Sequence, residues 1–238
     1  ALRLTDAQGR FVRVVDVQPG YGFLPSSGWP AGQWVYDWLT IPLPLPDEPH
    51  ERPFALVAQL YDVTEPNTAV LTRRLGEIVE VETGLVFQET EPVFALPDGI
   101  VRETAVFGDE IQLQGYQFSQ TDAAIDLTLV WQALANGQTN YTRFVHLIEA
   151  GSDGAPLVQS DSPPRYGSYP TSQWTAGEVV SDTITLPLTD VPPGSYQLAG
   201  GFYSQPVPGQ FDRLTVQNGA GELADGRFIL PITVNVEP

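Results

Sequence analysis

Half of the residues in Asp16–Leu43 recur, in order and without a gap, in Asp161–Leu188, 145 positions later. DVQPGYGFLPSSGWPAGQWVYDWLTIPL and DSPPRYGSYPTSQWTAGEVVSDTITLPL share fourteen of twenty-eight residues, where average usage gives about two by chance. A likeness of that length is a duplication, so the 238 residues read as two modules of one design. The matched pairs are Asp16/Asp161, Pro19/Pro164, Tyr21/Tyr166, Gly22/Gly167, Pro25/Pro170, Ser27/Ser172, Trp29/Trp174, Gly32/Gly177 and Asp37/Asp182.

The flanking text repeats more loosely, and it has the pattern of strands. LRLTD, AQGR and FVRVV read as a hairpin, matched by residues 145–160, with Gly9 and Gly154 at one offset supplying the positive φ of the turn. After the Pro- and Gly-rich loop, WVYDWLTIPL and EVVSDTITLPL have the β-branched and aromatic content of half-buried strands. FALVAQLYD then matches YQLAGGFYS at an offset of 142, Arg74-Leu75 matches Arg213-Leu214, and 78–81 matches 230–234. Helical periodicity is absent. Short strands between regular turn signals predict an all-β chain of two tandem immunoglobulin-like or jelly-roll-like β-sandwich modules.

The two modules are not equally complete. EIQLQGYQF, AIDLTLVWQAL and YTRFVHLIE open the second and have no partner in the first. The expected division is a first module at 1–85 lacking its opening strands, a linker at 86–102 and a complete second module at 103–238. A half-built sandwich exposes an edge and part of its core. Strands ahead of Ala1, the linker, or a strand donated by a neighbouring chain would each close it. Ala1 falls inside a strand-like pattern and is not Met, so the chain reads as a piece of a longer protein, with any export signal encoded ahead of it.

Charge and composition remove several classes of function. Eleven basic residues, all Arg, against twenty-nine acidic ones give a formal charge of −18, which would repel nucleic acid. Without cysteine there is no disulfide, thiolate metal site or thiol nucleophile. No apolar run approaches the roughly twenty residues that cross a bilayer as a helix.

The repeated loop carries the site candidates. Pro, Gly, Asp and Ser in this order fix an irregular backbone, and a Trp after them can cap the end of a core. The functional alternative is a sugar platform, in which the rings of Tyr21, Trp29, Tyr166 and Trp174 cover the apolar face of a pyranose and Asp16 and Asp161 accept from its hydroxyls. Burial of the rings would remove it. Trp34, Tyr36 and Trp38 alternate along one predicted strand, and the second copy has Val179, Ser181 and Thr183 there. They read as core or interface packing, or as a second carbohydrate surface. His146 alternates with Phe144 and Ile148 and reads as a satisfied, partly buried residue, and His50 stands in an acidic loop.

No nucleophile elbow, zinc spacing, phosphate loop or nucleotide fingerprint is present. Carboxylates are plentiful, but none sits in an apolar setting that marks a glycosidase acid. Neither DAQGR nor GSDGA has the oxygen spacing of a calcium loop. No catalytic residue, metal ligand or cofactor is therefore assigned.

GDEIQLQGYQF, LTLVWQAL, YTRFVHLIE, the Asp161–Leu188 stretch, PPGSYQLAGGFYS and DRL resemble, in that order, the soluble β-sandwich modules that follow the membrane-spanning part of bacterial, Chloroflexi-type, family 39 (dolichyl-phosphate mannosyltransferase-like) glycosyltransferases. The resemblance spans the second module and, more weakly, residues 1–83. It implies an extracytoplasmic location and a membrane-embedded transferase portion in cis that holds the catalytic groups, none of which matches a residue here. The expected function is a non-catalytic accessory domain that binds or orients a glycan or glycosylated acceptor. The alternatives are a secreted cell-surface or filament-forming protein that self-associates by completing its first module, and an autonomous carbohydrate-active enzyme with two carboxylates about 5–10 Å apart across a cleft.

Overall fold

In the computed structural model the chain is almost wholly β, with sixteen strands in three antiparallel sheets among the described residues. Those are all residues except 8, 24, 25, 33, 45–47, 49, 51, 65–68, 152–154, 208 and 238. Gly154 and Pro25, two of the matched positions above, fall outside them. Among the described residues helical structure is limited to short 3-10 turns, and no helix is long and apolar enough to cross a membrane.

The chain divides into two compact units, Ala1–Glu91 and Pro92–Pro238. In the first, β1 (Leu2–Thr5), β2 (Phe11–Val15), β3 (Phe54–Tyr61), β4 (Ala69–Val81) and β5 (Gly84–Glu89) form one sheet in the order β2-β1-β3-β4-β5. Its core is small: Leu4, Val12 and Phe54, with Ile41, Leu56 and Ile78 packed beside them. The edge strand β5 is exposed along its length.

The second unit holds two sheets. The first contains β6 (Val101–Phe107), β7 (Ile111–Gln120), β8 (Ala124–Ala133), β11 (Val179–Pro187), β14 (Val216–Asn218) and β15 (Gly221–Leu223), in the order β11-β8-β7-β6-β14-β15. The other contains β9 (Thr142–Glu149), β10 (Val158–Ser162), β12 (Gly194–Ser204), β13 (Asp212–Arg213) and β16 (Phe228–Val236), ordered β10-β9-β12-β13 with β16 also on β12. Alternating residues of both sheets meet in one core. At its centre Trp131 of β8 meets Phe202 of β12 edge to face at 4.8 Å, and Phe107 of β6 packs on both. Each such side chain, fully buried, stabilises the fold by about 1.5–3 kcal/mol.

The segment 86–102, read from sequence as a linker, is strand at both ends, because β5 pairs with β4 and β6 with β7. Its proline and acid content suits an irregular segment, but only 90–100 lie outside strands.

Strand pairing refines the duplication. Leu2 lies opposite Val15 and Ala58, and Val145 opposite Ser160 and Gly200, so β1 corresponds to β9 at an offset of 143. The loop copies still match at 145, and the turn between β1 and β2 is correspondingly shorter. Arg74 and Arg213 are not equivalent, since Arg74 faces Val57 and Arg213 faces Tyr203. The continuous β4 takes the place of β13 and β16, between which the β14–β15 hairpin is inserted in the second unit.

The first unit thus contains the counterpart of only one of the second unit's two sheets. Strand β11 pairs with β8 over nine positions, Val179–Pro187. The matching residues 34–42 form no strand, and among the described residues of 1–91 none takes the place of β8.

Candidate functional site

The repeated loop is built the same way twice. Gly20, Tyr21 and Gly22 take left-handed φ values of 59°, 53° and 90°, and Arg165, Tyr166 and Gly167 take 51°, 52° and 80°. Three left-handed residues in a row are costly for anything but glycine. They are held by a carboxylate: Asp37 accepts the Gly20 N–H at 3.0 Å, and Asp182 accepts the Arg165 N–H at 2.8 Å. A tighter turn follows, in which the N–H of Trp29 donates to Ser26 and that of Trp174 to Thr171.

The two outermost carboxylates are used in the same way. Tyr61 donates its hydroxyl to Asp16, tying together strands that flank a third, and Tyr203 stands beside Asp161 at the matching place. Asp161 also stands 2.9 Å from His146 Nε2. The Asp16 contact is the main reason the Tyr61 hydroxyl titrates above the usual tyrosine range. Burial lifts Tyr203 likewise, and the adjoining Asp161 carboxylate adds to the rise. Both aspartates therefore act as cross-strand locks, with sugar hydroxyls facing competition from bonds already made.

In the second unit Trp174 is 2% exposed and donates its indole N–H to the Tyr169 carbonyl at 3.2 Å. The chain from Glu110 to Tyr141 packs over it: Glu110, Ile111, Ala133, Gly137 and Tyr141 leave only about 10 Å³ free beside it. Gly137 comes so close to the Thr171 carbonyl that a Cβ would sit 1.9 Å from that oxygen. Glu178, also buried, accepts from the Tyr169 hydroxyl and the Thr175 N–H. Sequence reading missed this glutamate, since the first copy has Gln33 at that position.

The sugar platform expected of the repeated loop is corrected here for Trp174, which belongs to the core and offers no face to a ligand. Tyr166 is 37% exposed and stands without it. In the first unit Tyr21 and Trp29 are 65% and 41% exposed. The residues packed over Trp174 come from 110–141, a stretch that the repeat does not match in 1–91.

Three other rings are more exposed. Trp34, Tyr36 and Trp38 show 89%, 83% and 88% of their surface. Their counterparts Val179, Ser181 and Thr183 alternate with Val180, Asp182 and Ile184, which face the core. Counterparts of 34, 36 and 38 thus lie on the other side of β11, two of them half-buried and Val179 covered by the chain around Val93, whose carbonyl accepts its N–H. The reading of the three rings as core packing does not fit that register, whereas a surface role does.

Among the described residues no arrangement for catalysis stands out. A shallow groove of about 590 Å³ between Phe211–Thr215 and Glu222–Gly226 contains Glu222 and Asp225, both exposed to solvent. Among the described residues no group of three His, Asp or Glu is placed to hold a metal. No protein-family model matches the chain, and no curated protein or solved structure matches it significantly.

Proposed function

We propose that the chain is a non-catalytic, extracytoplasmic β-sandwich accessory module of a membrane glycosyltransferase, and that it binds glycan on the aromatic stripe Trp34, Tyr36 and Trp38. The stripe carries the reading. Three large rings, each more than four-fifths exposed, stand at alternate positions where the second copy has Val, Ser and Thr. Exposed apolar surface of that size marks an interaction site. Flat rings with a polar edge suit the alternating C–H and hydroxyl faces of a sugar. The acidic chain favours a neutral or cationic glycan over an anionic one. The location and the transferase context rest on the resemblance of the second unit's phrases.

The test is a glycan array with the whole chain beside a Trp34→Ala/Trp38→Ala variant, with circular dichroism on both. The reading expects wild-type binding that falls by about tenfold or more in a folded variant, as for loss of about 1.4 kcal/mol or more of contact. Absence of binding, or equal binding, overturns it.

A second reading, a cell-surface protein assembled by strand exchange, is favoured by the unpaired stretch 34–44 beside an open core. It requires concentration-dependent association in sedimentation, and a monomer at all concentrations removes it.

A further inference from the structure

Where the first unit runs β4 straight through, the second inserts the β14–β15 hairpin, and with it a groove. The hairpin gives the core one fully buried side chain, Val216. The chain on either side of it, Phe211–Thr215 and Glu222–Gly226, stands around about 590 Å³ of open space, a volume in the range of small-molecule sites. Its walls are fixed by close backbone packing. A Cβ at Gly226 would stand 2.6 Å from the Leu214 carbonyl, and one at Gly201 of β12 would stand 2.6 Å from the Gly226 carbonyl. Arg213 is exposed yet held on two sides, its guanidinium carbon 5.0 Å from the centre of the Phe144 ring and its Nη1 donating to the Asp225 carbonyl at 3.1 Å. Phe211 meets Tyr203 edge to face at 5.3 Å and remains 60% exposed. Glu222 presents an exposed carboxylate from the other wall.

We infer that this groove binds a neutral pyranoside, with a C–H face of the sugar on the Phe211 ring and its hydroxyls between the Arg213 guanidinium and the carboxylates of Glu222 and Asp225. A guanidinium only donates hydrogen bonds, an ionised carboxylate only accepts them, and a hydroxyl does both. Adjacent hydroxyls on one ring therefore satisfy the two kinds of wall together. The charges at the groove nearly cancel, which selects a neutral ligand. Arg213 and Arg227, the latter 3.4 Å from the Asp225 carboxylate, stand against Glu222 and Asp225. An anion would meet both carboxylates on a chain of formal charge −18, and a cation would meet the anchored guanidinium. The apolar contact comes from Phe211, whose flat ring suits the C–H side of a sugar. None of these residues belongs to the aromatic stripe of the first unit, so the inference stands whether or not that stripe binds glycan.

The experiment follows backbone amide chemical shifts of the whole chain by NMR in a Trp34→Ala/Trp38→Ala background, which removes the stripe. Maltose and cellobiose are the neutral probes, and glucosamine and glucuronate are the charged ones. At least one disaccharide is expected to shift the amides of 211–215 and 222–226. Phe211→Ala and Glu222→Ala, each checked for folding by circular dichroism, are expected to weaken that binding by about tenfold or more. Glu222 is an exposed side chain, so its variant decides the matter even where loss of the Phe211–Tyr203 contact disturbs the fold. No shift with either disaccharide, shifts centred elsewhere, or unchanged affinity in Glu222→Ala overturns the inference. Tighter binding of glucosamine or glucuronate overturns the neutral class. Because Trp34 and Trp38 are absent from every arm, this proposal and the one for the stripe fail separately.

Discussion

Arg143 places its guanidinium 3.0 Å from the carboxylate of Asp182, with both side chains fully buried, and so links the two sheets of the second unit through β9 and β11. The same carboxylate holds the left-handed loop by accepting the Arg165 N–H. Its copy, Asp37, does only the second of these tasks, and does it in solvent. Replacing Arg143 by Ala strands a buried charge and is expected to cost about 3–5 kcal/mol. Replacing Asp37 by Ala removes two exposed bonds, from the N–H groups of Gly20 and Trp38, and is expected to cost about 1–2 kcal/mol. Denaturant melts of both variants measure the contrast, and equal costs contradict it.

The two tryptophans of the repeated loop should part in the same way. Trp174→Ala opens a cavity in a close-packed site and is expected to cost about 3–5 kcal/mol. Trp29→Ala deletes a ring already 41% exposed and is expected to cost under about 2 kcal/mol. Thermal melts of the single variants decide this.

Alkaline pH should weaken the fold through its tyrosines. Tyr116, Tyr141 and Tyr203 are raised above the ordinary 10.0, chiefly by burial. With folded values above the unfolded one, their contribution is complete below pH 10 and is lost as pH rises from there through the folded values, because the unfolded chain releases those protons first. Melting temperature is expected to fall above about pH 10, with a shallower fall in Tyr203→Phe. A melting temperature flat to about pH 11.5 contradicts the assignment.

The close approach at Gly137 yields a sharper test of the lid over Trp174. Alanine there drives a Cβ into the Thr171 carbonyl, so Gly137→Ala is expected to destabilise by about 1–3 kcal/mol. The change should also raise acrylamide quenching of the Trp174 emission. Unchanged stability and quenching would show that the lid does not press on this loop.

Much of the architecture was legible because strands announce themselves locally. Alternation in AIDLTLVWQA and turn residues at Gly9 and Gly22 depend only on neighbours along the chain, and the duplication supplied its own alignment. The fate of the aromatic rings was not local. Trp29 and Trp174 stand in nearly identical sequence, yet one is covered by residues 110–141 and the other is not, and a motif cannot report what lies above it. The partners of Asp16 and Asp161 were not local either, since Asp16 accepts from Tyr61 on another strand and Asp161 stands beside Tyr203 and 2.9 Å from His146 Nε2. That pair was visible only as two tyrosines matched at an offset of 142. The hairpin register escaped because the turns differ in length, and the β14–β15 insertion because the first copy contains nothing to compare with it.

Hydrogen exchange read by mass spectrometry on the unmodified chain tests the central claim, that one design is closed in the second unit and open in the first. Every second amide of residues 180–186 faces β8 in the antiparallel ladder, and these are expected to be protected by at least about a hundredfold over the amides of 35–41, which have no partner strand among the described residues. Comparable protection in the two stretches would mean that the first unit is closed by contacts other than those described, and would contradict the account.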